Sequence, residues 1–281
     1  MKKISRRSFL AAAAVSVAAV ALTACGGSAS SAASSSAASS SAASSEAASS
    51  SAAAELTTVE SGKLTMAPNA TFPPYEMTTD AGTIEGIDID TAQAIADKLG
   101  LELQVDNMEF DSSLLSVQQG KADIVMAGVT VTPERQNVMD FSDSYATGIQ
   151  SVIVTNDSEI ATLEDLPGHL IGTQRGTTGY LYCTDDFGED SVIAYDSGLT
   201  AVQALNNGQV DCVVIDDAPA QAYVAANPGL KVLDTSYAVE EYAIGLAKGN
   251  TALLDAVNAA LAELAEEGTL QAIVDKYITA E

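Results

Sequence analysis

Seven residues of this chain recur 88 positions later with their character intact: Val117-Gln118-Gln119-Gly120-Lys121-Ala122-Asp123 and Leu205-Asn206-Asn207-Gly208-Gln209-Val210-Asp211. Each reads as an apolar helix end, two amides, a glycine suited to a left-handed helix cap, and an aspartate entering an apolar strand. The strands that follow end at Ala127-Gly128 and Ile215-Asp216. A helix that stops on glycine and passes at once into a buried strand is one step of an α/β alternation, and the chain takes that step in both of its halves. Ligands of open α/β sheets bind off the carboxyl ends of strands, so with one sheet per half Gly128-Val129-Thr130 and Asp216 face each other across a cleft.

The remaining pattern keeps this alternation, with strands expected at Leu64 to Ala67, Leu101 to Met108 and Ala122 to Ala127, and helices at Asp90 to Leu99 and about Asp111 to Gln119. Further on, strands are expected at Leu170 to Gln174, Ser191 to Tyr195 and Val210 to Ile215. Helices are expected at Thr178 to about Asp185, Leu199 to Asn207, Asn250 to Glu266 and Thr269 to Ile278. The class is α/β with largely parallel sheets. Thr71-Phe72-Pro73-Pro74-Tyr75-Glu76 reads as a rigid loop, its prolines keeping it out of a sheet interior.

Charge excludes whole classes of partner. The 281 residues hold 12 Lys plus Arg against 38 Asp plus Glu, a net charge of -26, and four of those cations lie in the first 24 residues, which leaves the remainder at -30. Such a surface repels phosphate backbones, so nucleic acid is not an expected partner.

The first segment is an export signal. Lys2, Lys3, Arg6 and Arg7 precede an apolar run from Phe9 to about Ala24 that is too short for a membrane anchor. Its end, Leu22-Thr23-Ala24-Cys25-Gly26, resembles the lipobox of bacterial lipoproteins, which implies cleavage after residue 24, acylation of Cys25 and an extracytoplasmic protein held on the outer face of the cell membrane. Ser5-Arg6-Arg7-Ser8-Phe9-Leu10 also resembles a twin-arginine motif, and the general secretory route stands beside it. From Ser28 to Ala54 every residue is Ser or Ala except Glu46. With no apolar face to bury, residues 25–55 are expected to be a disordered tether reaching roughly 30 Å. Cys183 and Cys212 are expected to be two small buried residues, with a disulfide as the alternative.

The inventory of reactive groups argues against catalysis and against a metal site. There is one histidine, His169, no nucleotide-binding glycine loop, and no metal-spaced cysteine pair. Past the tether there are two arginines, Arg135 after the first strand end and Arg175 beside the turn Gly176-Thr177-Thr178-Gly179 that opens a helix. A guanidinium, free helix-start amides and a strand-end carboxylate, Asp216 or Asp217, suit a zwitterion such as an α-amino acid. Phe72 and Phe110 follow strand ends, where they either sandwich a ligand or cap the core.

These segments, in this order, resemble a known family, the extracellular solute-binding proteins of family three that serve as polar amino-acid receptors of ABC importers. The matching stretches are NATFPPYE (69–76), GIDIDTAQAIADKLG (86–100), MEFDSSLL (108–115), GKADIVMAGVTVTPER (120–135), DFSDSY (140–145), GTQRGTTG (172–179), VDCVVIDDAP (210–219) and EEGTLQAIVDKY (266–277). The resemblance implies a two-lobed periplasmic-binding-protein-like fold of type II. One lobe comprises residues 56–144 and 244–281, the other residues 149–240, and they are joined by hinges near Tyr145 to Gly148 and Glu241 to Ala243.

It implies as well that Arg135 grips the ligand's α-carboxylate, with backbone at Gly128, the hydroxyl and amide of Thr130, and the turn at Thr177 and Thr178. Asp216 would hold the α-ammonium, Phe72 and Phe110 would wall the site, and Asn69 and Gln174 would meet the ligand's side chain. Because Asn69 and Gln174 are uncharged, the expected ligand is a neutral polar amino acid such as glutamine or cystine. A basic one stays open through Glu76, Glu109 and Asp111. The implied partners are an ABC permease and ATPase, the chain itself is expected to be a monomer, and neither cofactor nor metal is expected. The alternatives are a cyclohexadienyl-dehydratase-like enzyme on the same scaffold and a lipid-tethered sensor.

Overall fold

The computed structural model describes residues 56–278; the signal segment, Cys25 and the Ser/Ala tether lie outside them. The chain enters on β1 (Lys63–Ala67), makes a small antiparallel sheet of β2 (Thr71–Phe72), β3 (Glu76–Thr78) and β4 (Ile84–Glu85), and continues into α1 (Ile87–Leu99) and β5 (Glu102–Val105). Next come α2 (Phe110–Gln118), β6 (Ile124–Val125), the single turn α3 (Pro133–Gln136) and the long β7 (Met139–Thr155). The second alternation is β8 (Ile171–Gln174), α4 (Thr178–Phe187), β9 (Val192–Tyr195), α5 (Gly198–Asn206), β10 (Cys212–Asp216) and α6 (Asp217–Ala226). The chain returns through β11 (Leu230–Val232) and β12 (Ala238–Ala247) to α7 (Thr251–Glu266) and α8 (Thr269–Tyr277).

The main sheet runs β5-β1-β6-β12-β7-β10-β8-β9, with β11 also paired to β7. Parallel strands stand at either end, β5-β1-β6 and β10-β8-β9. Between them β12 and β7 pair antiparallel from Ala238 opposite Gln150 to Ala247 opposite Met139. The segments expected as hinges therefore lie within two long paired strands, and the register shifts between Tyr242 and Gly245, inside the crossing. A bulge of this kind bends a strand locally. One core cluster packs α1 and α7 on β1 and β6 through Leu64, Met66, Ile95, Ile124, Val257 and Leu261. Another packs β7, β8, β10 and α4 through Val152, Val154, Ile171 and Val214, and includes Cys183 and Cys212, both free thiols. Burial pushes the Cys183 thiol up to about 12, as befits an inert packed cysteine.

The echoed motif has one structural task in both places. Gly120 and Gly208 sit at φ 65 and φ 68 after their helices, and the aspartates that follow close the next strand start. Asp123 accepts the N–H groups of Val59 at 2.7 Å and Thr65 at 2.8 Å, while Asp211 accepts that of Leu170 at 2.8 Å and also meets His169 at 3.2 Å. Each aspartate thus ties its own strand to the neighbour's first turn, which explains the repeat without any ligand.

Candidate ligand-binding site

Asn69, Phe72, Phe110, Gly128, Thr130, Arg135, Gln174, Thr177, Thr178 and Asp216 all line one cavity, together with Glu76 and Ala127; it holds about 320 Å³ of empty space, mouth included. They come from strand ends and helix starts of both halves of the sheet. Three hydrogen bonds close over the cavity from one half to the other: Gln174 Nε2 to Asn69 Oδ1 at 2.9 Å, Arg135 to Gly176 O at 3.1 Å, and Tyr223 OH to Thr71 O.

Arg135 owes its place to α3. Thr132 caps that turn, accepting the Arg135 N–H at 3.2 Å, and Pro133 pre-sets the first helical residue. Arg135 is 8% exposed as a residue, and its guanidinium donates to Thr130 O at 2.8 Å and to Gly176 O and stands 5.4 Å from the Phe110 ring centre. It makes no ion pair with any described residue; burial lowers its pKa, and the field of Glu240 opposes this. A buried guanidinium whose hydrogen bonds go to two carbonyls keeps donors and a full charge with which to hold an anion. Arg175, the other candidate, turns to the surface instead, toward Asp196 at 3.7 Å.

Asp216 ends β10 and accepts the hydroxyl of Tyr242. Burial raises its pKa to about 7, helped by nearby Glu240 and opposed by hydrogen bonds from Tyr242 and Gln150. Asp217 faces elsewhere, accepting from Ser151 at 3.2 Å and Gln221 at 3.3 Å, so Asp216 is the carboxylate on the cavity.

Two expected donors are committed to the protein. The Gly128 N–H goes to Asp88 Oδ2 at 3.0 Å, which leaves only its carbonyl; glycine is required here because a side chain at φ 55 would meet the Phe72 ring at 2.7 Å. Thr177 caps α4, its hydroxyl accepting the Tyr180 N–H at 3.3 Å and donating to Gln174 O at 2.8 Å. What the turn offers an anion is therefore the first free N–H groups of α4. Gly176 permits the turn, at φ 74 with the Asp111 carboxylate where a side chain would begin.

Of the deeper carboxyl groups, Glu76 is expected from the sequence only as a partner for a basic ligand, and Asp88 and Glu240 are not expected at all. Glu76 is fully buried on the cavity wall against the carboxyl group of Asp88, and no amide, hydroxyl or cation of the described residues donates to its oxygens. Its pKa is raised well above the carboxylate range, by burial first and then by Asp88. Asp88 is held by Gly128 and by the Tyr145 hydroxyl at 3.0 Å, and burial brings it to about 7. Glu240, on β12, is buried among donors from three elements. Strand periodicity carries the signal for Glu240, which shares the inward face with Tyr242 and Ile244 while Glu241 faces solvent.

Comparison with known proteins fits this geometry. Residues 64–280 match the family described as bacterial extracellular solute-binding proteins, family 3. The L-cystine-binding protein TcyJ of Escherichia coli (strain K12) is 33% identical over 225 residues, covering 79% of this chain and 85% of that one. The ABC transporter arginine-binding protein 1 of the same organism is 34% identical over 220 residues, 76% of this chain and 90% of that one. Among solved structures, an ancestral arginine-binding protein bound to glutamine superposes with a TM-score of 0.75 at 39% identity, covering 78% of this chain and 99% of that one. The fold is the two-lobed type II architecture of periplasmic binding proteins. This chain belongs to the bacterial extracellular solute-binding proteins of family 3.

Proposed function

We propose that this protein captures an L-α-amino acid with a cationic side chain and presents it to the permease of an ABC importer. The observation that carries the reading is the pairing of a buried, anion-less guanidinium, Arg135, with a buried strand-end carboxylate, Asp216, on one cavity. A zwitterion satisfies both at once. For the side chain, what the cavity offers is acceptors. The Gln174 amide donates to Asn69, the Asn69 amide donates to Met108 O at 2.9 Å, and no amide, hydroxyl or cation of the described residues donates to Glu76. A guanidinium or ammonium supplies donors and charge together. The second reading is a neutral polar amino acid, glutamine or cystine, favoured by the linked amides of Asn69 and Gln174 on the wall.

In this function residues 56–144 with 244–281 form one lobe, residues 149–240 the other, and the paired crossing strands are the hinge between them. Binding favours the closed form, which is what a permease recognises. Acylation at Cys25 holds a monomeric receptor on the outer face of the membrane. No step of the reading requires catalysis.

The test is a dye-based thermal shift with each of the twenty amino acids and cystine, on protein first unfolded and refolded to strip carried-over ligand. A ligand at one hundred times its dissociation constant adds about 2.7 kcal/mol of stability. Arginine or lysine is expected to give the largest shift. A shift with glutamine or cystine alone selects the second reading, and no shift with any removes both. In Glu76→Gln, arginine affinity is expected to fall about tenfold, because a bound cation favours the ionised form of Glu76 and a glutamine has no charge to offer it, while glutamine stays within about threefold. Equal losses for the two ligands take Glu76 out of side-chain recognition.

A further inference from the structure

Glu240 does not line the ligand cavity, yet it holds two residues that do. Its Oε2 accepts from Gln150 Nε2 of β7 at 2.9 Å, from Thr178 Oγ1 at the start of α4 at 3.1 Å, and from Thr130 Oγ1 after β6 at 3.2 Å. The residue is 5% exposed, and the charged or titratable groups whose fields it shares are Arg135, Asp216 and Tyr182. One amide and two hydroxyls, from β7, from the start of α4 and from the segment after β6, therefore converge on a single acceptor oxygen.

The consequence lies in proton counting. A threonine hydroxyl has one proton and two lone pairs. With that proton given to Glu240, the hydroxyls of Thr130 and Thr178 have only lone pairs left for the cavity, two on Thr130 and one on Thr178, whose other lone pair accepts from Gln150 Nε2 at 3.5 Å. A carboxylate brought against them meets no donor, whereas an ammonium does meet acceptors.

We infer that Glu240 is a positioning residue that fixes the hydrogen-bond polarity of the cavity, turning the hydroxyls of Thr130 and Thr178 into acceptors for the ligand's α-ammonium beside Asp216. The α-carboxylate is left to Arg135 and to backbone N–H groups. The inference rests on the amino-acid reading above, and what it adds is the part played by Glu240. A residue at 240 that did not accept from the two threonines would leave both hydroxyls free to rotate, and the part of the cavity beside Asp216 would lose its added preference for the ammonium.

The experiment compares full-length wild type, Glu240→Gln and Glu240→Asp by titration calorimetry with three probes: L-arginine, agmatine, which lacks the carboxylate, and 5-guanidinopentanoate, which lacks the ammonium. L-glutamine and glutaramate serve as the corresponding neutral pair. In Glu240→Gln the amine-bearing probes are expected to bind about tenfold more weakly or worse, because glutamine can turn an N–H toward the hydroxyls and reverse them, while the ammonium-free probes change by less than about twofold. Glu240→Asp, which keeps the charge, is expected to recover part of the loss. In a Thr130→Val, Thr178→Val background the effect of Glu240→Gln should vanish, since no hydroxyl remains to orient.

Equal weakening of amine-bearing and amine-free probes, or an undiminished Glu240→Gln effect in the valine background, overturns the inference. A Glu240→Gln protein that loses its fold transfers the comparison to Glu240→Asp, in which a selective loss for the amine-bearing probes supports the inference and a uniform loss overturns it. A wild type that binds neither L-arginine nor L-glutamine is a different result: it removes the proposed ligand class itself.

Discussion

Arg135→Ala is expected to weaken amino-acid binding by about 2 to 5 kcal/mol, the cost of leaving one partner of a buried charge pair alone. That is roughly 30-fold to several thousand-fold in affinity. Two features set the size of the effect. The guanidinium is held by Thr130 O and Gly176 O, so it is aimed before the ligand arrives and loses little freedom on binding. No described carboxylate pairs with it, so the ligand's carboxylate replaces no existing partner. The fold should survive, because α3 is capped by Thr132 and Pro133 independently of the guanidinium. Titration calorimetry on a variant of unchanged circular dichroism checks this, and an affinity within threefold of wild type would falsify the role given to Arg135.

Without ligand, the protein is expected to lose stability as pH rises from about 4 to 8, against the usual trend for proteins rich in carboxylates. Asp88 and Asp216 stand at about 7 in the folded state, raised by burial from 3.8, and Glu76 is raised too. The sign follows from proton counting. Above pH 4 the unfolded chain has released protons that these folded carboxyls still hold, so the folded state binds more and stability falls with rising pH. The contribution is fully present below about pH 4 and lost as pH passes through about 7. Each tenfold change in proton affinity corresponds to about 1.4 kcal/mol, so each of the two aspartates accounts for on the order of 4 kcal/mol as a ceiling. The midpoint of thermal unfolding should therefore be several degrees lower at pH 8 than at pH 5.

Self-repulsion of the acidic surface works in the same direction, so the decisive comparison is with Asp216→Asn, whose profile should be flatter than the wild type's. Identical profiles would show that the surface alone is responsible. A cationic ligand beside Glu76 and Asp216 should reverse the trend, giving a larger ligand-induced shift at pH 8 than at pH 5.

The residues that make the site are legible because they sit where an α/β chain must place them, at strand ends and helix starts. Gly128, Arg135, Thr178 and Asp216 each follow an apolar strand closely in sequence. The acidic layer behind them is harder to see. Asp88 shares a helix face with Ala92, Ile95 and Ala96, and a charge on an otherwise apolar face is the available sign. Asp90, two residues on, is an ordinary surface partner of Lys276 at 2.7 Å, and nothing in the local composition separates the two.

The longest strands escape a reading of the sequence for a different reason. Met139 to Gly148 is given no element by the sequence, its apolar residues being interrupted by Ser142-Asp143-Ser144, and its partner on β12 lies about a hundred residues away. Such a strand is specified by its neighbour more than by its own residues. The turn around Phe72 and Glu76, which reads as a rigid loop, is instead part of three short strands, because the chain on either side of the two prolines folds back on itself.

The pairing of β7 with β12 also governs what stands behind the cavity. The two strands are bonded side by side over most of their length, and the bulge between Tyr242 and Gly245 bends β12 locally. The pair cannot slip lengthwise. A displacement of one residue would carry Glu240 out to solvent and bring Glu241 in, stranding Gln150, Thr130 and Thr178 without their acceptor. The register of β7 on β12 thus decides which carboxyl group the cavity's hydroxyls meet.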